Sequence, residues 1–340
     1  MKRTLYLNTY TIIFTILFFS LQYNCNIQAQ FPLKKLSNLY KGIPVLVTGG
    51  CGFIGSHVAE KLIELGADVT ILDDLSTGNI KNIATIIDKI TFIQGDITDF
   101  ETCRFATKNQ QVIFHLAAFV SVPVSTQEPQ KCHNINVIGT QNLLEAARMN
   151  NVQRFIFSST CAIYGESSYP CNEDKTTHPT SPYGFSKLMG ELYCQEYAQV
   201  FNIETVTMRY FNVYGPRQDP HSSYTGVISK FLYNMEHNLP ITIFGDGTQT
   251  RDYVPVEKIV EANVILGISQ TDLINNQIFN IATEKSINLF DLIDILKKEY
   301  PHYNNEIIFM PARPGDVKHI AADCSKYNNL CKELLNILKK

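Results

Sequence analysis

A parallel, doubly wound α/β sheet is the fold class that the sequence predicts. Three observations predict it: β-rich apolar runs recur between residues 43 and 211, segments of helical periodicity separate them, and a glycine-rich turn joins the first run to the first helix. This order also places ligands, because such sheets bind them outside the carboxyl ends of their strands.

The first unit reads IPVLVTGGCGFIGSHVAEKLIELGADVTILDD. Residues 43–47 make the first strand, Val58, Leu62 and Leu65 recur at helical spacing, Gly66 closes the helix, and residues 69–72 make the second strand. Gly49, Gly52 and Gly55 stand between strand and helix, which is the context a dinucleotide cradle requires. Gly49 permits the tight turn, Gly52 lets the backbone approach a pyrophosphate, and Gly55 lets the helix lie close to the sheet. The helix N-terminus, at Phe53 and Ile54, then faces the anion. Asp73 ends the second strand, with Asp74 next to it, about 20 residues on, where a carboxylate accepts hydrogen bonds from an adenosine ribose and repels a 2′-phosphate. NAD is therefore favoured over NADP.

Three further strands follow at the same rhythm: residues 91–94 run into GDITD, residues 112–115 into LAA, and residues 154–157 into SST. Asp96, Ile97, Leu116, Ala117 and Ala118 stand at those strand ends and fit an adenine and pyrophosphate rim. After SSTCAIYG comes SPYGFSKLMGELYCQEYA, a helix in which Tyr183 and Lys187 are four apart and share a face. An ammonium beside a phenol favours the phenolate, drawing a pKa that starts near ~10 toward working pH. Further on, Ile228, Phe231 and Leu232 read as the core face of another helix.

Composition removes several function classes. The formal charge of -3 is spread without long runs of either sign, so there is no basic stripe for nucleic acid, and an anionic ligand must be held by a few placed arginines. The nine cysteines are scattered singly, with no CxxC pair and no His/Cys cluster at metal-ligand spacing. No metal and no disulfide framework is expected.

Nine motifs in order, TGGCGFIG, LDDLSTG, GDITD, HLAA, SSTCAIYG, YGFSK, RYFNVYGPRQDP, GDGTQTRDYV and RPGDVKH, resemble the extended short-chain dehydrogenase/reductase family, and within it the nucleotide-sugar 4-epimerases of the UDP-glucose 4-epimerase type. The resemblance runs from residue 45 to residue 332. It implies a Rossmann domain, bound NAD, a UDP-sugar substrate, and a homodimer formed through the helix carrying Tyr183 and a neighbouring helix. Thr160, Tyr183 and Lys187 become the catalytic residues: Tyr183 as base for the C4 hydroxyl, Thr160 hydrogen-bonding the same oxygen, Lys187 tuning the phenol and holding the nicotinamide ribose. Relatives that eliminate water or a carboxyl group carry an acid at one or both positions after the threonine, whereas here they are Cys161 and Ala162. Simple epimerisation is what remains. On the substrate side, Asn212, Arg251 and Arg313 match diphosphate-binding positions, Gly226, Val227, Thr242 and Phe244 match positions lining the nucleotide, and Asp316 matches a position near the uridine ribose.

Ile320 stands where relatives restricted to unacetylated hexoses carry a large aromatic and relatives accepting N-acetylated sugars carry a small residue. The expectation is activity on UDP-glucose and UDP-galactose with some tolerance of UDP-GlcNAc and UDP-GalNAc. A UDP-glucuronate 4-epimerase shares the scaffold but needs further donors for the sugar carboxylate, and a non-catalytic nucleotide-binding scaffold is opposed by the intact Thr160, Tyr183 and Lys187.

The chain divides into an N-terminal extension (residues 1–42), a dinucleotide-binding domain (residues 43–211) and a mainly substrate-binding part (residues 212–340). Lys2 and Arg3 precede an apolar run over residues 12–21, and Ala29 offers a small residue before a cleavage point, a pattern that reads either as a secretory signal or membrane anchor, or as an upstream extension from a misplaced start site. NAD and UDP-sugars are cytosolic in supply, which argues for a cytoplasmic enzyme body. Residues 1–30 argue for export or tethering.

Overall fold

The computed structural model describes residues 33–167, 170–220, 222, 226–313 and 315–339. The signal-like stretch within residues 1–30 lies outside the described residues. Helix α1 (Leu33–Tyr40) precedes the first βαβ unit, formed by β1 (Pro44–Thr48), α2 (Phe53–Glu64) and β2 (Asp68–Asp73). Then come β3 (Thr91–Gln94), α3 (Phe100–Ala106), β4 (Val112–His115), α4 (Val122–Gln127), α5 (Pro129–His133), a π-helical turn at Asn134–Ile138, α6 (Gly139–Met149) and β5 (Arg154–Thr160). The long helix α7 (Pro182–Phe201) leads to β6 (Glu204–Tyr210). Beyond residue 211 lie β7 (Asn212–Tyr214), α8 (Val227–Glu236), β8 (Ile241–Phe244), β9 (Thr250–Pro255), α9 (Val256–Ile268), α10 (Thr271–Ile274), β10 (Gln277–Ile281), β11 (Ser286–Asn288), α11 (Leu289–Lys297), β12 (Ile307–Met310) and α12 (Ser325–Lys339).

Seven strands form one parallel sheet in the order β10-β6-β5-β4-β1-β2-β3, with Val47 of β1 opposite Ile71 on one side and Phe114 on the other. This is the doubly wound α/β sheet that the sequence predicts. Alternate side chains of β1 enter different layers: Val45 and Val47 join a core with Val58 of α2 and Ile259 of α9, and Leu46 joins another with Leu143 of α6 and Cys194 of α7. Burial on both faces is why these strands read as unbroken apolar runs. The strand order reverses between β1 and β4, and a crevice opens at their carboxyl ends.

Helix α7 starts cleanly because the Ser181 hydroxyl accepts from the Gly184 amide at 3.1 Å and Pro182 occupies the first turn. It stops at Asn202, which adopts a left-handed conformation with φ 57°. Residues 33–40, which the sequence groups with the extension, form α1: Leu36 and Tyr40 are buried, and the Tyr40 hydroxyl donates to the Val264 carbonyl at 2.8 Å.

The chain beyond residue 211 is interleaved with the sheet. Strand β10 pairs in parallel with β6, and α9 packs against α2. Around this return, α8, β8, α11 and β12 enclose a second core that buries Ile228, Phe231 and Leu232 together with Ile243 and Leu292. Among the described residues, no helix is long and apolar enough to cross a membrane.

Candidate active site

The crevice holds a cavity of about 610 Å³. Its floor is the turn between β1 and α2. Gly49 has φ +69°, and a Cβ there would lie 2.7 Å from the Ala117 amide nitrogen. At Gly55 a Cβ would lie 2.1 Å from the Gly49 carbonyl oxygen, so neither position admits a side chain. The Gly52 amide donates to that same carbonyl at 3.0 Å. No side chain caps α2, whose first residues, Phe53 and Ile54, line the cavity.

At the end of β2, Asp73 accepts from the Cys51 amide on one oxygen and the Leu75 amide on the other, each at 2.8 Å. Burial pushes its carboxyl up, and the two amides pull it back down. Asp74 caps the next turn by accepting from the Ser76 amide at 2.9 Å, and Asp96 accepts from the Thr98 amide at 2.8 Å. Asp73, Asp74 and Asp96 line the cavity together with Ile97, Leu116, Ala117 and Ala118.

On the other side of the switch point, β5 ends at Thr160, whose hydroxyl oxygen accepts from the Ala162 amide at 3.1 Å and so is fixed at the cavity wall. Tyr183, in the first turn of α7, is held by its own amide donating to the Ser125 hydroxyl at 3.2 Å. Burial pushes the Tyr183 phenol well above its ordinary range, and a hydrogen bond with Thr160 opposes the shift. Lys187, four residues on, sends its ammonium to the Ser158 carbonyl at 2.8 Å. Burial holds the Lys187 pKa down to about 8. In this polypeptide the lysine therefore does not outweigh the burial of the phenol, as helical spacing alone suggests it should. Positions 161 and 162 carry no acid: burial lifts the Cys161 thiol to about 12.

Of the substrate-side residues, Asn212, Gly226, Arg251, Asp316 and Ile320 line this cavity. Arg251 pairs with Asp316 and donates to the Thr250 and Lys318 carbonyls at 2.9 and 3.1 Å. Val227, Thr242, Phe244 and Arg313 do not line it. Strand alternation explains β8: Ile241 and Ile243 enter the second core, which leaves Thr242 and Phe244 on the opposite, half-buried face. The Arg313 guanidinium stacks 3.7 Å from the centre of the Phe244 ring.

A model of the NAD dependent epimerase/dehydratase family matches residues 45–282. The chain belongs to that family. It is 42% identical over 289 residues to a putative UDP-glucose 4-epimerase of Methanocaldococcus jannaschii, covering 84% of this chain and 92% of the relative. Among solved structures, the UDP-glucose 4-epimerase of Thermotoga maritima with UDP-glucose superposes with a TM-score of 0.79 at 39% identity, covering 84% of this chain and 92% of that one. The UDP-N-acetylglucosamine 4-epimerase of Methanobrevibacter ruminantium in complex with UDP-N-acetylmuramic acid gives a TM-score of 0.79 at 37% identity, covering 85% of this chain and 91% of that one.

NAD is the cofactor of this epimerase family, and the residues present fit it. The side-chain-free approach at Gly49 and Gly55 and the uncapped helix start suit a pyrophosphate, and the buried Asp73 carboxylate suits a ribose diol. Sequence reasoning missed the support beneath this cradle. The Thr48 hydroxyl bonds His115 Nδ1 at 2.8 Å and accepts from the Ala117 amide at 3.2 Å, while His115 Nε2 meets the Thr140 hydroxyl at 2.9 Å. Thr140 donates to the Asn136 carbonyl at 2.7 Å, so it accepts from Nε2–H, and the imidazole is neutral with Nδ1 as acceptor. Burial, followed by the Lys187 charge, holds the His115 pKa down to about 3, in keeping with that tautomer. The histidine of HLAA was the available signal, but its two threonine partners come from other elements.

Proposed function

We propose that the protein interconverts the two C4 epimers of a UDP-hexose, with UDP-glucose and UDP-galactose as substrates and tolerance of the N-acetylated pair. The observation that carries this reading is one cavity lined by the dinucleotide cradle, Thr160 and Tyr183, with no acid at positions 161 and 162. NAD, when bound, supplies a reversible hydride acceptor for C4 and a positive ring that favours a nearby phenolate. Tyr183 takes the proton of the C4 hydroxyl and returns it after the keto sugar has presented its other face. Thr160, its oxygen fixed by the Ala162 amide, donates to the same sugar oxygen. Lys187 holds the nicotinamide ribose and keeps a positive charge behind Tyr183.

Residues 212–340 mainly hold the nucleotide. Asn212 and Arg251 face the diphosphate, Asp316 the uridine ribose, and Gly226 the base. Val227, Thr242, Phe244 and Arg313 join them when Arg313 leaves the Phe244 ring for the phosphates. Two copies associate through α7 and its neighbour. The exposed Phe185, Met189 and Leu192 on α7, beside the exposed Ile138, support that face. The body works in the cytoplasm, where NAD and UDP-sugars are supplied.

The test is incubation of the purified protein with UDP-glucose and NAD, followed by nuclear magnetic resonance of the sugar. The expected result is a stable mixture of gluco and galacto epimers. Conversion of UDP-glucuronate with UDP-glucose left untouched would instead assign the carboxylated sugar.

A further inference from the structure

Tyr183, Lys187 and Glu191 recur every fourth residue along α7, so one helix face carries a phenol, an ammonium and a carboxylate in succession. The first two have parts in the reaction proposed above. Glu191 has none there, yet it is 1% exposed. Arg209 of β6 grips it with two prongs, Nε to Oε1 at 3.0 Å and Nη2 to Oε2 at 2.8 Å. The remaining prong of Arg209 donates to the Tyr164 hydroxyl at 2.8 Å and the Glu173 carbonyl at 3.0 Å. Glu191 also accepts from the Ser159 hydroxyl.

That third partner sets this ion pair apart from a plain staple between α7 and β6. Ser159 lies between the two points where β5 meets the chemistry: Ser158, whose carbonyl receives Lys187 at 2.8 Å, and Thr160, which lines the cavity with Tyr183 and pulls against the upward shift of its phenol. A buried carboxylate neutralised by its arginine therefore tethers the one residue flanked by both contacts. We propose that Glu191, held by Arg209, is a positioning residue that fixes the end of β5 through Ser159, so that Ser158 holds Lys187 and Thr160 meets Tyr183. The inference rests on the epimerase reading for the parts played by Tyr183 and Thr160. The charged and titratable groups facing Lys187 are Glu191 and Cys194 on α7, Cys132 on α5 and His115 on β4, with Arg209 balancing Glu191.

Two variants test it without leaving a buried charge unpaired. Glu191→Asp keeps the anion for Arg209 and withdraws it by one methylene from Ser159, and Ser159→Ala removes the hydroxyl and keeps the ion pair. Tyr183 ionisation is read in NAD-loaded protein as the ultraviolet difference between each variant and its Tyr183→Phe counterpart across pH. The expected result is a phenol midpoint raised by about half a pH unit or more in each single variant, and no further in the double. Where turnover is measurable, kcat falls about tenfold with KM unchanged. A lowered melting temperature with midpoint and kcat unmoved would mark a purely structural pair and overturn the proposal, as would additive effects of the two substitutions. The phenol midpoint needs no turnover, so a protein that epimerises no UDP-hexose would refute the proposed function, while the midpoints would still support or overturn the positioning role.

Discussion

The Lys187 ammonium donates to the Ser158 carbonyl oxygen at 2.8 Å. It is buried, its charge is costly there, and its pKa is held down to about 8. The unfolded chain keeps this proton up to about 10.5, so between those values the unfolded state binds more protons than the folded one, and stability rises with pH. Thermal unfolding of NAD-free protein from pH 7 to 10, compared with Lys187→Met, should show this rise in the parent and its loss in the variant. Equal slopes would mean that Lys187 is not the titrating group.

The phenol is the second test. Burial alone favours its neutral form, so the charge needed to ionise it must come from the assembled site. Tyr183→Phe keeps the ring and removes the oxygen that carries the proton. Turnover should fall about 10²–10⁴-fold, the range typical of losing a general base, with UDP-sugar binding by calorimetry nearly unchanged. Parental turnover would remove Tyr183 from the assigned role.

At the cradle, Gly55→Ala places a methyl group 2.1 Å from the Gly49 carbonyl oxygen. The contact is to backbone, which cannot swing away as a flexible side chain can. The helix must shift off the sheet, and the amides at Phe53 and Ile54 move with it. NAD released on denaturation and measured by absorbance should fall from near stoichiometric to near zero, while Gly66→Ala, a control remote from the cavity lining, retains NAD if it folds.

What the sequence made legible follows from steric and local rules. The spacing of Gly49, Gly52 and Gly55 was readable because only a missing side chain fits there, and Tyr183 with Lys187 because four residues make a helical turn. Contacts assembled across elements were not readable. Thr48, His115 and Thr140 meet from β1, β4 and α6, and Glu191 meets Arg209 from α7 and β6. Strand β10 reads like any other short apolar run, and only its pairing with β6 returns it to the sheet. Arg313 fitted a clamp by motif, yet an aromatic face close in space attracts the same guanidinium.

Ile320 sets the last prediction. It is 4% exposed, lines the cavity, and its backbone is pinned by the Ser286 hydroxyl donating to its carbonyl at 3.2 Å. Under the proposed function, the side chain rather than the backbone position sets how much room the sugar has at C2. Ile320→Tyr fills that room and should abolish turnover of UDP-GlcNAc while sparing UDP-glucose, whereas Ile320→Ser enlarges it and should raise the ratio of kcat/KM for the acetylated over the plain sugar about tenfold. The parent should fall between the two. If the parent converts no UDP-GlcNAc above background and Ile320→Ser does, isoleucine already closes the pocket, and the tolerance proposed for the native protein is wrong.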